Sequence, residues 1–402
     1  MNKPRIATSL ALALTTLQVP PQALAKDLVD VIPGLYGGDG ITLAPPEGPF
    51  PSHEAHFLLA STESVLALNK LIAGEIRPFP VSPSAGGVTY QFDPAQGTYV
   101  QTSQTLGPLV SERPETLGQG KFSLGFAVTY FEYDEFEGHD LGKLRATALH
   151  DFDIIAPPDS PDSFENDTLD IQFDIDLRFT ALALAGTYGV TDRLDVSLIV
   201  PIIKASMDVD AEAMVEVSEE NPFPGAHTFE GGDESPFDSD SESATGIGDV
   251  VLGAKYFLLD EQRYNVAGAA RVKFETGDED NFLGTGSTNL QPFVIASANI
   301  TDKIIANTNL GFDLDLDDSD RDEFLYKVGV YGGSPQLTGA VDIVGRHRLN
   351  ESGTGDDIVD AAFGVKWSPT KNLIFSANVQ VPLNDDGLRS DVISTIGLEY
   401  RN

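Results

Sequence analysis

The chain has 402 residues, a formal net charge of −37 from 62 acidic and 25 basic side chains, and no cysteine. The acidic excess excludes a nucleic-acid binder, because such proteins neutralise phosphates with Lys and Arg. The lack of cysteine excludes disulfides, thiolate metal ligands and a cysteine nucleophile.

Residues 1–25 have the layout of a secretory signal peptide. Lys3 and Arg5 precede an apolar run over residues 6–17, and Ala23-Leu24-Ala25 has the small-residue pattern of a cleavage site. The apolar run is shorter than the ~20 residues that a transmembrane helix needs. We therefore expect cleavage near Ala25 and export of the chain.

Residues 26–120 form a mixed segment with no consistent period. The stretch STESVLALNKLIAGEI predicts one helix, capped by Ser61 or Thr62, and VTYQFDPAQGTYV predicts a hairpin that turns at Asp93-Pro94. The Gly- and Pro-rich stretch 34–57 is predicted to be a loop.

From Lys121 onward, apolar and polar residues alternate in twelve segments. Alternation has period two and is typical of strands, since successive side chains of a strand point to opposite faces. The segments are KFSLGFAVTY, DTLDIQFDIDLRF, LDVSLIVPI, DVVLGAKYFL, YNVAGAARVKF, LQPFVIASAN, IIANTNLGFDLDL, FLYKVGVYG, LTGAVDIVGR, IVDAAFGVKW, LIFSANVQV and DVISTIGLEY. In the second segment the parity changes near Thr180, which predicts a β-bulge there.

The connections between these segments alternate in length. Tight turns follow the even-numbered segments, at Thr191, Asp260–Arg263, Thr301, Gly332–Gln336 and Thr370, and longer or more acidic connections follow the odd-numbered ones. Tight turns at one rim and long loops at the other are typical of outer-membrane barrels, whose short turns face the periplasm. A soluble β-sandwich also alternates, but it gives no reason for this asymmetry.

The predicted fold is therefore all-β, a transmembrane antiparallel up-and-down β-barrel of about twelve strands over residues 121–402, in the outer membrane of a Gram-negative bacterium. Two positions stay open for residues 26–120. They form a plug inside the lumen or an extension into the periplasm, since a twelve-stranded barrel is narrow for a segment of this length.

Two stretches carry a family resemblance. TGIGDVVLGAKYFLL and VKFETGDEDNFLGTGSTNLQPFVIAS resemble the outer-membrane barrel family named after a protein of the phenol meta-cleavage pathway, with its Gly-x-Gly-Asp strand opening, Thr-Gly loop and Gly-Thr-Gly return. The resemblance covers roughly residues 190–400, and Glu275 departs from it where the family has Pro. It implies a passive channel for small molecules, including aromatic or apolar compounds, and it carries over no ligand residue.

Strand parity points a mixed set of charged side chains into the lumen, where they would line a polar pore or pair and block it. These candidates are Asp174, Asp176, Arg178, Asp195, Lys255, Arg271, Lys273, Asp313, Asp315, Asp342 and Lys366.

Catalysis and a fixed metal site are not expected. His347 has no serine partner nearby in sequence, because residue 349 is Leu, and the Asp-rich stretch from Asp313 has neither the Gly nor the Glu of an EF-hand loop. We therefore predict no enzyme activity, cofactor or bound metal.

The predicted partners are outer-membrane lipid, lipopolysaccharide and a small-molecule solute, with the acidic external loops as candidates for divalent cations. The alternative is a structural or surface-interaction barrel with a closed lumen and cation-binding loops.

Overall fold

The computed structural model describes residues 26–38, 40–45, 57–75, 90–93, 98–101, 105–149, 167–218, 227–229, 235–261, 263–350 and 357–402. The expected signal peptide and its cleavage site near Ala25 lie outside these residues. Within them, no helix is long and apolar enough to cross a membrane.

The fold is a closed antiparallel β-barrel. Its twelve wall strands are β3 (Phe122–Tyr133), β7 (Thr168–Gly189), β8 (Leu194–Glu216), β10 (Val250–Asp260), β11 (Tyr264–Phe274), β12 (Asn289–Thr301), β13 (Ile304–Asp315), β14 (Glu323–Gly333), β15 (Leu337–Arg348), β16 (Asp357–Thr370), β17 (Leu373–Pro382) and β19 (Ile393–Arg401). Each wall strand pairs with the wall strand that follows it in the chain. The last strand, β19, pairs with the first, β3, and closes the ring. The twelve predicted strands are thus confirmed.

Within the described residues, seven further strands and one α-helix lie outside this ring. They are β1 (Tyr90–Asp93), β2 (Thr98–Gln101), β4 (Glu135–Phe136), β5 (His139–Asp140), β6 (Leu144–Leu149), β9 (Phe237–Ile247), β18 (Leu388–Arg389) and α1 (Leu58–Glu75). Strands β1 and β2 form the predicted hairpin around Asp93. Helix α1 begins three residues before Ser61, whose hydroxyl donates to the Leu58 carbonyl inside the helix, so the predicted cap at Ser61 or Thr62 is wrong.

The two ends of the barrel differ as predicted. One end, called the turn end here, carries the five tight connections β7–β8, β10–β11, β12–β13, β14–β15 and β16–β17. The opposite end, called the loop end, carries the longer connections, β4, β5 and β18. A closed ring leaves no strand edge unpaired along the wall, which is the condition for a sheet inside hydrocarbon.

The outer surface of the wall is apolar around its circumference. Exposed large side chains occur on successive strands, at Leu124, Phe126, Leu184, Leu198, Leu252, Val294, Leu310, Val328, Val341, Phe363, Val365 and Ile396. Trp367 and Tyr188 lie on the same surface close to the tight turns, where aromatic girdles of membrane barrels lie. The alternation therefore places apolar residues outside the barrel.

Strands β7 and β8 continue far beyond the barrel rim at the loop end. They pair without interruption from Thr168↔Glu216 to Gly189↔Asp195, so the bulge predicted near Thr180 is absent. The apolar residues change from one face of β7 to the other for a different reason. Within the barrel wall the outward face meets the apolar belt, whereas beyond the rim it is the inward face that is covered by apolar residues. The outward face is apolar at Leu184 but polar at Arg178, where it has left the apolar belt.

The extended parts of β7 and β8 pair with β6 and β9 to form a four-stranded protruding sheet. Its inner face is apolar and fully buried, at Leu169, Ile171, Phe173, Met207 and Val209. The described residues between 26 and 75 cover this face with Leu28, Ile32, Phe57 and Ile72, which belong to the same apolar cluster. This part of the amino-terminal segment therefore lies at the loop end.

Candidate functional site

Residues 105–120, called the inserted loop here, occupy the interior of the barrel from the turn end. The Leu106 amide donates a 2.8 Å hydrogen bond to Thr338 Oγ1, near the start of β15. The loop then rises to Glu112 and returns to Leu117, whose amide donates to Asp195, one residue after the start of β8. Most of its side chains are buried, so the lower half of the bore is filled.

The tip of the inserted loop is fixed by polar groups of the wall. The Glu112 amide donates to Asn309 Oδ1 at 2.6 Å, and the Asn309 side-chain nitrogen donates to the Glu112 carbonyl at 2.9 Å. The Glu112 carboxylate forms an ion pair with the Arg271 guanidinium. This guanidinium also lies 4.8 Å from the ring centre of Phe293, within the range of a cation–π contact.

Eight of the eleven sequence-predicted lumen residues face the interior. They are Asp195, Lys255, Arg271, Lys273, Asp313, Asp315, Asp342 and Lys366. Lys255 donates to the carbonyls of Arg113 and Glu115 in the inserted loop, at 3.0 and 2.9 Å, and Asp342 accepts from Ser111 at 2.6 Å. The structure therefore brings most of this set together around the loop.

The other three, Asp174, Asp176 and Arg178, do not line the lumen. They lie on the outer face of the protruding sheet, where Asp174 is opposite Asp210 and Asp176 is opposite Asp208. Arg178 forms ion pairs with Asp176, at 2.8 Å, and with Asp208. The prediction placed them inside because it assumed a bulge, whereas the continuous strand keeps the apolar partners Leu177 and Phe179 on the inner side.

Above the inserted loop, the connection between β11 and β12 folds into the barrel and is held by one carboxylate. Asp249 accepts hydrogen bonds from the amides of Thr276, Gly277 and Thr285 and from the Thr285 hydroxyl, at 2.9–3.2 Å. A Cβ on Gly277 would lie 2.6 Å from the Gly284 Cα, so only glycine permits this approach. These residues are the Gly-Asp, Thr-Gly and Gly-Thr-Gly elements of the sequence, which explains their spacing.

This folded connection and the wall enclose a cavity of about 280 Å³ in the loop-end half of the bore. One side is apolar and aromatic, with Phe131, Phe179, Ile199, Ile203, Phe282 and Leu283. The rings of Phe131 and Phe179 stack with their centres 5.3 Å apart. The opposite side is charged, with the basic residues Arg271, Lys273, Arg321, Lys327, Arg346 and Arg389 and the acidic residues Asp313, Asp315, Glu323 and Asp360.

Several cavity residues were missed by the sequence analysis. Lys327, Arg346 and Asp360 have the parity of inward positions on β14, β15 and β16, so the alternation itself could have identified them. Asp249 lies outside a regular strand, where no period marks the direction of a side chain. Arg389 of β18 pairs with Asp360 of β16. No local sequence pattern predicts a contact between these two strands.

Two His–Asp pairs occur among the described residues. The buried His227 Nδ1 lies 2.7 Å from Asp167 Oδ2, and the Asp167 carboxylate also accepts from the Ser218 amide at 2.7 Å. His347 Nδ1 lies 2.7 Å from Asp357 Oδ1 at the loop end, where both side chains are about half exposed. No group of three or more His, Asp or Glu side chains placed to hold a metal ion occurs in the described ranges. At the same end, the Lys143 ammonium and the Gly142 amide lower the pKa of the Asp140 carboxyl by hydrogen bonding to it.

Comparison with known protein families gives one match. Residues 160–387 match the model of a family described as "Putative MetA-pathway of phenol degradation". This range contains ten of the twelve wall strands in full, together with Asp249 and the folded β11–β12 connection. No curated protein matches the sequence.

Solved structures of several bacterial channels are similar at low sequence identity. An outer membrane channel from Pseudomonas putida F1 has a TM-score of 0.44 and 11% identity, covering 72% of this chain and 98% of that chain. The toluene transporter TbuX from Ralstonia pickettii has a TM-score of 0.37 and 15% identity, covering 75% and 95%. The NanC porin has a TM-score of 0.37 and 10% identity, covering 69% and 98%.

Proposed function

The chain belongs to the MetA-pathway phenol-degradation family, and we propose on this basis that it is an outer-membrane channel for passive entry of small molecules, including aromatic compounds. The apolar belt around a closed barrel supports residence in a bilayer, since charged residues on a lipid-facing surface cost about 2–4 kcal/mol at the midplane. The loop end then faces outward and the turn end faces the periplasm.

The observation that carries the proposal is the cavity with one aromatic side and one charged side. A closed structural barrel needs no internal space, whereas about 280 Å³ lies between Phe131 and Arg271 here. This volume is near the lower limit of roughly 300 Å³ for ligand pockets, which favours solutes of about one ring over oligosaccharides.

The inserted loop supports a gated channel rather than an open one. Its tip is held to the wall by hydrogen bonds and one ion pair, whereas Leu109 and Val110 pack against an apolar cluster of the wall. The polar contacts of the tip can be exchanged for water or solute without exposing a large apolar surface. The tip is therefore the part of the loop that is suited to move when a solute reaches the cavity.

The test is conductance and uptake by the full mature chain reconstituted in planar bilayers and liposomes. We expect a low basal conductance and uptake of toluene or phenol above that of empty liposomes. A variant with Ser111 and Glu112 both replaced by Ala should raise the conductance, because it removes the tip's two side-chain contacts to Asp342 and Arg271. No conductance and no uptake in either protein would favour the structural barrel.

The expectation that divalent cations bind the acidic external surface and bridge it to lipopolysaccharide stays a prediction. Its surface would be the outer face of the protruding sheet, where Asp174 and Asp210 lie opposite each other. Directly opposed like charges are unfavourable across a strand pair, and a bound cation would relieve this cost.

A further inference from the structure

We propose that Arg271 binds the carboxylate of a solute that also has an apolar ring or chain, and that Glu112 of the inserted loop occupies this position when no solute is bound. The proposal rests on the proposed channel function and names the class of solute. Glu112 is the chain's own carboxylate, and it contacts Arg271 at the border between the inserted loop and the cavity.

The partners of the cavity's basic residues single out Arg271. Arg389, Arg346, Lys273 and Arg321 have acidic partners on the wall or its connections, namely Asp360, Glu323, Asp249 and Asp318. Lys327 donates to a backbone carbonyl of the inserted loop, at Val110, whereas Arg271 pairs with a side-chain carboxylate of that loop. Removing the loop therefore takes away the carboxylate paired with Arg271, while the charge of Asp313 on β13 still acts on the guanidinium.

The surroundings of Arg271 suit a carboxylate with an apolar body. A guanidinium is planar and binds a carboxylate through two parallel hydrogen bonds. The guanidinium carbon lies 4.8 Å from the centre of the Phe293 ring, a cation–π contact that helps to hold the group in place. Phe131, Phe179 and Leu283 line the other side of the same cavity and would contact the ring or chain of the solute.

The exchange links recognition to opening. Glu112 also anchors the loop tip through its backbone pair with Asn309. A solute carboxylate that takes the Arg271 position leaves Glu112 buried without its paired cation, which is costly because a buried charge loses its hydration. In this proposal the displaced carboxylate reaches water through movement of the loop tip toward the turn end.

The experiment compares benzoate with benzyl alcohol, which has the same ring without the charge, and with acetate, which has the charge without the ring. Binding to the purified full chain is measured by equilibrium dialysis, and open probability is measured in planar bilayers. Arg271→Gln removes the proposed site, Glu112→Gln removes the competing charge, and Arg321→Gln is the matched control at the cavity rim, where Arg321 pairs with Asp318.

We expect benzoate to bind the unchanged chain at least about tenfold more tightly than either analogue and to raise the open probability. Glu112→Gln should bind benzoate more tightly still and should show a raised basal conductance. Arg271→Gln should lose the preference for benzoate, while Arg321→Gln should keep it.

Equal binding of benzoate and benzyl alcohol, or unchanged benzoate affinity in Glu112→Gln, would overturn the inference, and the second result does not depend on whether Arg271→Gln folds. Passage of benzyl alcohol without any preference for benzoate would leave the channel function standing and only the inference wrong. Benzoate binding without conductance or uptake in any variant would instead contradict the proposed function and leave the site in place.

Discussion

The hydroxyl of Ser111 in the inserted loop donates a 2.6 Å hydrogen bond to Asp342 Oδ1 on β15, and both residues are almost completely buried, at 0% and 1% exposure. The Asn307 side-chain nitrogen donates to the same Ser111 hydroxyl at 2.5 Å. These side chains are separated by about two hundred residues in the chain and join the loop to β13 and β15. The position of the loop therefore depends on buried polar groups as well as on the apolar packing of Leu109 and Val110.

Replacement of Asp342 by Ala should release this part of the inserted loop. It removes the acceptor of Ser111 and leaves a buried hydroxyl with one partner fewer, at a cost of about 1–3 kcal/mol. We expect a lower free energy of unfolding in vesicles and a higher single-channel conductance. Asp302→Ala, in an exposed tight turn, is the control and should change neither. Unchanged conductance in Asp342→Ala would show that other contacts hold the loop.

Replacement of Asp249 by Ala should release the folded connection between β11 and β12. Four donors lose one shared acceptor, so we expect a loss of about 1–3 kcal/mol and cleavage by proteases added outside, between Thr276 and Thr285. Glu275→Gln, exposed in the same connection, is the control and should stay resistant. Resistance in both variants would mean that Asp249 does not hold this connection.

Arginine at Leu310 should destabilise the barrel because this side chain lies on the apolar outer surface of β13. Near the bilayer midplane the expected cost is ~2–4 kcal/mol. Unfolding by urea in lipid vesicles can be followed through Trp367, the single tryptophan of the chain. Arginine at Asp302, in the tight turn, is the matched control.

Arginine at the neighbouring Asn309 should act differently. From the sequence alone this substitution is expected to cost little, because the residue faces a wet lumen. The structure changes that expectation, since Asn309 is buried and pairs with the backbone of Glu112. We now expect Asn309→Arg to expel the loop tip and raise the conductance. Equal stability of the Leu310 and Asn309 variants, with no conductance change, would argue against both a lipid-facing surface and a lumenal loop.

Peptide tags test the orientation of the chain in the membrane. A tag at Ser235, beside the start of β9 in the protruding sheet, should be labelled on intact cells. A tag at Thr370, in the tight turn between β16 and β17, should be labelled only after the outer membrane is opened. Labelling of Thr370 alone would reverse the assignment of the loop end to the outside.

The sequence was sufficient to predict the wall because each strand carries its own local signal. A period of two marks both the strand and its two faces, and tight turns with Thr-Asp or Ser-Pro mark where strands reverse. Leu310 and Asn309 are neighbours with opposite surroundings, and the alternation predicts this without any knowledge of their partners.

Local alternation fails where the surroundings of a face change along one strand. On β7 the outward face is apolar at Leu184 and charged at Asp176, although no residue is inserted between them. A pattern records which residues share a face but not what lies against it. For this reason the sequence placed Asp174, Asp176 and Arg178 inside, and only the packing of Leu28 and Phe57 on the opposite face puts them outside.

By itself the sequence determined the twelve strands, their order and the apolar surface of this protein, because these follow from contacts between residues that are close in the chain. Only the tertiary structure decided what fills the interior. The contacts of Ser111 with Asp342 and of Glu112 with Arg271 join segments far apart in sequence, and the inserted loop has no period that reveals its partners. A charged side chain that points into the barrel can contact water, a side chain of opposite charge or an inserted loop. Which of these it contacts depends on the free energy of the whole folded barrel and not on the local sequence.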